Sequence, residues 1–490
     1  MTSRDQAPDA GCDTMGTVSR YHLVRYAGLA GAILLAVSAY LGGVKPTWHG
    51  GVTPLTIWQG EYGPLIVSTW LIGTGLLVGA WWYARRGVPS TRWAYVTVGL
   101  WLLPLVVAPP MGSRDVYSYA CQGAVYTTGE NPYSAGVAEL GCPWLQSVSP
   151  MWWDSPAPYG PVFVLLAGAA AALGGTLVGT IVVLRVVAVL GVVLAAGCLP
   201  ALARRCGASG ERALWLMLGC PIVAVHLVSG AHNDALMVGL MVAGLLVIVA
   251  RPGRSWSLLV GGALLGLAIG VKVTAGVVVP FAALIAAPGP YRLRALLRHG
   301  GWVVGGAVLS VLATTTASGL GWGWVNGLTR SGDSIQWTSA PTAVGLAIEY
   351  VGRLFGVRFD AVPLVRVVAL VVLALVLVAL WWRARTGSPM MGAGIALAAT
   401  VVLAPVFHPW YAVWPLAVLA VTVGSSQWFL LPFALATFLT LPDGTNLARF
   451  TKFPGVWVMT FLVVLVVARG CVGISAVIRQ NIGTARSHPG

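Results

Sequence analysis

Asp115 follows directly on an apolar run, within Met111-Gly112-Ser113-Arg114-Asp115-Val116-Tyr117-Ser118-Tyr119. A carboxylate at such a boundary can accept a proton from a hydroxyl group held beside it; an ion pair with the adjacent Arg114 explains it equally well. Asp234 closes the run Gly230-Ala231-His232-Asn233-Asp234 at the start of another apolar segment. Three consecutive polar groups are costly there unless paired or wetted, which favours a site over a helix cap, although Asn and Asp cap helices well. Lys272 lies between Ile269-Gly270-Val271 and Val273-Thr274. A cation at that depth suits a phosphate; snorkelling to the membrane surface competes with that reading. His408-Pro409-Trp410-Tyr411, Arg449 and Lys452 add further polar or cationic groups at segment ends. The chain has no Gly-rich phosphate loop, no Ser-His-Asp order and no cysteine pair at zinc-ligand spacing.

The elements that must hold these residues are membrane helices. Hydrophobic residues make up 57% of the 490 and charged residues 9%, against about a quarter charged in soluble domains. About 20 apolar residues make one span, which gives fourteen candidates: 23–44, 65–84, 94–110, 178–203, 213–229, 234–250, 256–271, 273–288, 300–318, 363–382, 390–406, 411–424, 426–441 and 455–473. The expected fold is therefore an all-α polytopic membrane protein of about 14 transmembrane helices with outer interfacial helices. Arginines alternate with that count, from Arg20 and Arg25 through Arg85, Arg86 and Arg92, Arg204, Arg205 and Arg212, Arg251 and Arg254, Arg292, Arg294 and Arg298, to Arg383 and Arg385 on the inside. The alternation holds only if 159–173 and 340–356 do not cross, so these are assigned to the outer interface.

Glu61, Asp115, Glu130, Glu139, Asp154, Asp234, Asp333, Glu349, Asp360 and Asp443 then fall outside, and only Glu211 falls in an inside loop. Chemistry that needs carboxylates belongs outside, although nothing bars acids from that face in any case. The long outer loops, 111–177 and 319–362, carry Trp144, Trp152, Trp153, Trp322, Trp324 and Trp337. Most of these read as an aromatic belt, with one or two open to sugar stacking. The net charge of +15 is spread between apolar segments, which argues against nucleic acid as a partner. Of seven cysteines, only Cys121 and Cys142 share an outer loop, where a disulfide and two free thiols are both admissible. The polar first 20 residues read as a disordered cytoplasmic tail without a cleaved signal peptide.

With those residues in view, the sequence resembles the polytopic GT-C glycosyltransferases that use polyprenyl-phosphate sugars. It is most similar to the actinobacterial alpha-1,6-mannosyltransferases that use polyprenol phosphomannose. The motifs that carry the resemblance are Arg114-Asp115-Val116-Tyr117-Ser118-Tyr119 with Gly123, Gly129-Glu130-Asn131-Pro132-Tyr133, Tyr159-Gly160-Pro161, His232-Asn233-Asp234, Lys272-Val273-Thr274 and His408-Pro409-Trp410-Tyr411. The resemblance implies that Asp115 is the general base for the acceptor hydroxyl, that Asp234 assists in a substrate site, and that Lys272 touches the donor phosphate. Arg114, Tyr117, Tyr119, Asn131, Tyr133, His232, Asn233, His408 and Trp410 complete the implied substrate-binding set, and Arg449 joins it as an outer cation. The implied activity is inverting mannosyl transfer from polyprenyl-phosphate mannose to the alpha-1,6-mannan core of lipomannan and lipoarabinomannan, on the outer face of the plasma membrane, with both termini cytoplasmic.

No cofactor and no metal are expected; the partners are the lipid-linked donor, the mannan acceptor and membrane lipids. The class usually carries its acidic motif after the first span, whereas here it follows the third, which suggests two appended helices at 21–93. The remaining division is a catalytic core at 94–318, an outer loop at 319–362, C-terminal helices at 363–475 and a tail at 476–490. The rival readings are a transporter or flippase of lipid-linked saccharides, marked by intramembrane charges, and a scaffold without catalysis, for which Asp115 would be dispensable.

Overall fold

The computed structural model describes residues 12–47, 52–330, 334–422 and 430–486, and the side chains of all of these except 12–19, 329–330 and 470–486. The expected tail at residues 1–11 and Asp333 lie outside the described residues. Every regular element among those described is helical, with one isolated bridge between Thr440 and Asn446. The principal helices are α1 (Cys12–Gly42), α2 (Gly63–Tyr83), α3 (Thr91–Val107), α4 (Asp115–Thr127), α5 (Pro161–Gly174), α6 (Leu177–Arg205), α7 (Gly210–Leu218), α8 (Asp234–Ala250), α9 (Ser255–Val271), α10 (Val279–Ala286), α11 (Gly301–Ser318), α12 (Ala340–Leu354), α13 (Ala361–Ala384), α14 (Pro389–Leu403), α15 (Val413–Leu419) and α16 (Lys452–Arg486).

Among the described residues, six helices are long and apolar enough to cross a membrane: Arg20–Gly42, Gly63–Tyr83, Leu177–Arg205, Leu293–Ser318, Ala361–Ala384 and Lys452–Arg469. The chain is thus a multi-pass membrane protein. The expected fifth span is a broken pair, Gly210–Leu218 and Val223–Ser229, bent by 68°. Gly219 and Pro221 interrupt the backbone ladder there, and a π-helical stretch follows. The expected eighth span is shortened as well: Lys272 takes an extended backbone, a 3-10 turn covers Val273–Val278, and only then does α10 begin. Several other apolar helices stop at 10–17 residues, shorter than an unassisted crossing requires. Both segments assigned to the interface are helical, as α5 and α12, and α5 buries Phe163, Val164 and Ala167. The helix of α1 already covers residues 12–20, so helical backbone extends into the expected tail.

The described chain divides into two compact units. The first comprises Met1–Ser331, Val378–Ala398 and Pro409–Asn446. Small residues let its helices approach: a side chain on Gly191 would strike the backbone of α8 at Ala235, and one on Gly262 the backbone of α11 at Val303. Buried tryptophans tie α1 and α2 to α3 and α7. The Trp101 indole donates to Arg25 O at 2.8 Å, Trp215 to Trp81 O at 3.1 Å and Trp81 to Leu216 O at 3.2 Å.

The second unit comprises Gly332–Leu377, Ala399–His408 and Leu447–Gly490. Leu346, Ala347, Val362 and Val456 form its apolar cluster with Trp337 against them. Glu349 Oε1 accepts the backbone N–H groups of Ala361 and Val362 at 3.1 and 3.2 Å, which caps the start of α13. Arg366 ties Thr342 Oγ1 and Ser334 O at 3.0 and 2.8 Å.

Candidate active site

The first turn of α4 carries Asp115, where a carboxylate is favoured by the unpaired N–H groups of a helix start. Its own N–H donates to Ser113 Oγ at 3.1 Å, and the neighbouring Trp152 indole favours the charged form of its carboxyl. Arg114 does not pair with it. Instead the guanidinium donates to Ser147 O at 3.1 and 2.8 Å and to Lys45 O at 2.8 Å. The Tyr117 hydroxyl donates to Val44 O at 2.7 Å. These two residues therefore lash the start of α4 to the loop after α1 and to the 145–148 turn.

The Asp115 side chain is 15% exposed, enough to meet a substrate and little enough to be desolvated. Burial pushes its carboxyl up to about 6, against the opposing pull of the Lys272 cation. Burial likewise pushes the phenols of Tyr119 and Tyr159 well above the usual range, so both remain neutral donors.

Asp234 begins α8 but does not cap it. Its carboxylate is fully buried, with Lys272 Nζ 2.9 Å from Oδ1 and 3.0 Å from Oδ2. The Trp414 indole N–H also donates to Oδ1. Lys272 in turn lies over the rings of Tyr411 at 4.5 Å and Trp414 at 5.0 Å, two aromatic faces that stabilise a partly dehydrated ammonium. Its side chain is 12% exposed and directed at Asp234, not out to the surface.

His232 stands between the two carboxylates, its Nδ1 3.9 Å from Asp115 Oδ2 and 4.0 Å from Asp234 Oδ2. It shares a hydrogen bond of 3.2 Å with the Tyr119 hydroxyl and stacks on Trp410 at 4.1 Å. Asn233 is buried, and neither atom of its amide has a hydrogen-bond partner. Ala231, with φ of 49°, turns the backbone where His232 and Asp234 enter this cluster.

The structure thus gathers Asp115, Tyr119, His232, Asp234, Lys272 and Trp410 into one site. Asn131 and Tyr133 act in the loop instead: Asn131 Oδ1 accepts the Tyr133 N–H at 2.9 Å, and the Tyr133 hydroxyl donates to Tyr159 O at 2.9 Å. His408 and Arg449 belong to the second unit. Cys121 and Cys142 are joined, with Cα atoms 5.4 Å apart, so that the disulfide staples α4 to the loop that follows it. Among the tryptophans of the first long loop, Trp152 reaches Asp115, whereas the Trp153 indole donates to Val148 O at 3.1 Å.

Two contributors escaped the sequence reading. Trp414 gave no signal, since it is one aromatic residue in an apolar segment. Arg185 gave one that was passed over, because it is a lone cation inside α6. Its guanidinium donates to Val106 O at 2.9 Å and Ala108 O at 2.6 Å on one side and to Ser229 O at 2.7 Å on the other. It joins the strand of chain that leads into Asp115 to the one that leads into His232 and Asp234. No three His, Cys, Asp or Glu side chains among the described residues converge as a metal site.

The family profile described as "Alpha-(1->6)-mannopyranosyltransferase, N-terminal domain" matches residues 25–288, and that described as "MptB C-terminal domain" matches residues 341–469. Alpha-(1->6)-mannopyranosyltransferase A of Mycobacterium tuberculosis is 32% identical over 86% of this chain and 84% of its own length. Alpha-(1->6)-mannopyranosyltransferase B of Corynebacterium glutamicum is 28% identical over 92% of this chain and 81% of its own. No solved structure matches the chain.

Proposed function

The chain belongs to the alpha-(1->6)-mannopyranosyltransferase family, and from that premise we propose that this membrane mannosyltransferase carries mannose from polyprenyl-phosphate mannose to a growing alpha-1,6-mannan, the core of lipomannan and lipoarabinomannan. The reaction takes place at the outer face of the plasma membrane, with both termini cytoplasmic and about 14 crossings. The alternation of arginines between successive apolar segments supports that orientation.

The observation that carries the mechanism is the unequal state of two carboxylates that flank one histidine. Asp234 is buried and neutralised by Lys272, whereas Asp115 is partly exposed and its affinity for a proton is raised. Such a division assigns proton acceptance to Asp115 and charge positioning to Asp234. Asp115 takes the proton of the acceptor hydroxyl as that oxygen attacks the anomeric carbon of a beta-mannosyl phosphate. The bond to the phosphate oxygen breaks on the opposite face, polyprenyl phosphate leaves, and the new linkage is alpha. Two contacts of Lys272 go to Asp234, which leaves an ammonium N–H for the departing phosphate, where negative charge grows. Lys272 supplies that charge in place of a divalent ion, and no cofactor takes part.

An apolar groove of about 750 Å³ supports a lipid-linked donor. It is lined by Ile269 and Gly276, on either side of Lys272 in the chain, and continues along Ala307, Val311, Trp322 and Trp381. An isoprenoid tail laid there would bring its phosphate toward the lysine.

The test is transfer from radiolabelled polyprenyl-phosphate mannose to a synthetic alpha-1,6-dimannoside, in membranes bearing the wild-type chain or Asp115→Asn at equal expression. Product from the wild type and its loss in the variant is the expected result. Undiminished transfer by the variant would remove Asp115 from the mechanism.

A further inference from the structure

We propose that a cavity beside the Asp115 turn is a second carbohydrate subsite that holds the earlier residues of an oligomannoside acceptor. The inference rests on the mannosyltransferase reading above. The cavity measures about 480 Å³ and is lined by Tyr40, Lys45, Glu61, Tyr62, Arg114 and Asp443, among others, a size usual for small-ligand sites.

Arg114 links it to the reaction centre, since it precedes Asp115 and its guanidinium is anchored on Ser147 O and Lys45 O. Asp443 sits in a turn docked on the same stretch: the Gly112 N–H donates to Pro442 O at 3.3 Å, and Gly444, with φ of 89°, lies against the Ser113 backbone. Asp443 is held by Thr445, whose N–H and hydroxyl donate to its two oxygens at 3.1 and 2.7 Å. Each oxygen keeps a second lone pair for an incoming hydroxyl.

The chemistry of the lining selects the ligand. A hexose offers hydroxyls that donate to carboxylates and accept from cations, together with an apolar C–H face that packs on an aromatic ring. Glu61 and Asp443 provide the acceptors, Lys45 the donor, and the exposed rings of Tyr40 and Tyr62 the faces. Two negative and two positive side chains cancel, which favours a neutral polyol over an anionic lipid headgroup.

The experiment compares alpha-1,6-mannosides of two and five residues as acceptors for the full-length protein, with labelled polyprenyl-phosphate mannose as donor. The wild type should show a KM about tenfold lower for the longer acceptor. Tyr62→Ala and Glu61→Gln should raise that KM to the dimannoside value, with kcat and the dimannoside KM unchanged. Transfer with the same KM for both lengths in the wild type, or equal changes for both acceptors in the variants, would overturn the subsite and leave the mannosyltransferase reading intact. Transfer to neither acceptor would overturn that reading and the subsite with it. The length comparison in the wild type needs no substitution, so it can overturn the subsite even where a variant expresses poorly.

Discussion

The Lys272 ammonium lies 2.9 and 3.0 Å from the two oxygens of a fully buried Asp234. Each group is the condition for the other to be charged at that depth, because an unpaired ion there costs several kcal/mol. Asp234→Asn should therefore lower Tm in detergent and abolish transfer, through a misplaced Lys272. The double variant Asp234→Asn with Lys272→Met should recover much of the lost stability, on the order of 3 kcal/mol, without recovering transfer. Thermal melts and transfer assays on the double-mutant cycle would read this, and a double variant no more stable than Asp234→Asn would refute the pairing argument.

Asp115 must be ionised to accept a proton. Its carboxyl is raised by burial to about 6, so kcat/KM should fall about tenfold per pH unit below that value and level off above it. Asp115→Asn should remove about 100-fold or more of the rate and erase this limb from whatever activity remains. A profile flat from pH 5 to pH 8 in the wild type would count against the assignment.

Trp414→Phe keeps a ring beside Lys272 and Tyr411 but deletes the N–H that reaches Asp234 Oδ1. A buried acceptor deprived of its donor costs about 1–3 kcal/mol. The expected result is a lower Tm and a rise in the donor KM with little change in the acceptor KM. Equal changes in both constants would point to general loosening of the site.

Arg185→Leu leaves the carbonyls of Val106, Ala108 and Ser229 without their shared donor. A loss of roughly 3 kcal/mol or more is expected, and transfer should fall even though the side chain does not belong to the Asp115 and Lys272 cluster. Limited proteolysis would register loosening at 109–115 and 229–234; an unchanged pattern together with full activity would refute the bracing role.

Removal of divalent ions tests the cationic role given to Lys272. Transfer should persist after incubation with EDTA and dialysis, while Lys272→Met should lose it. Loss on chelation with recovery on adding a single metal would transfer the phosphate-stabilising role to that ion.

Much of the site was legible along the chain because charge is rare in it. Asp115, Asp234 and Lys272 each stand beside apolar runs, where the cost of burial makes a polar residue conspicuous. Arg114, Tyr117, Asn131 and Tyr133 belong to the same motifs, yet their contacts brace the loop. A motif records that residues are needed together and does not distinguish the group that reacts from the group that holds it. The span count suffered from a related ambiguity. Hydropathy averages over 213–229 and 273–288 are high, but Pro221 breaks the first stretch, and a 3-10 turn over Val273–Val278 leaves only Val279–Ala286 as α-helix in the second.

The sequence by itself determined that the chain is a helical membrane protein and which few polar residues must be accommodated among apolar ones, because bilayer and charge impose those conditions on any fold. Only the tertiary structure decided what each carboxylate does. Asp234 meets Lys272 across 38 residues and Trp414 across 180, so its neutralisation depends on three segments arriving at one point. Asp115 remains partly open, with no Lys or Arg among the described residues paired to it in the same way, and that difference in long-range pairing, invisible in either local motif, separates the proposed base from the group that positions the charge.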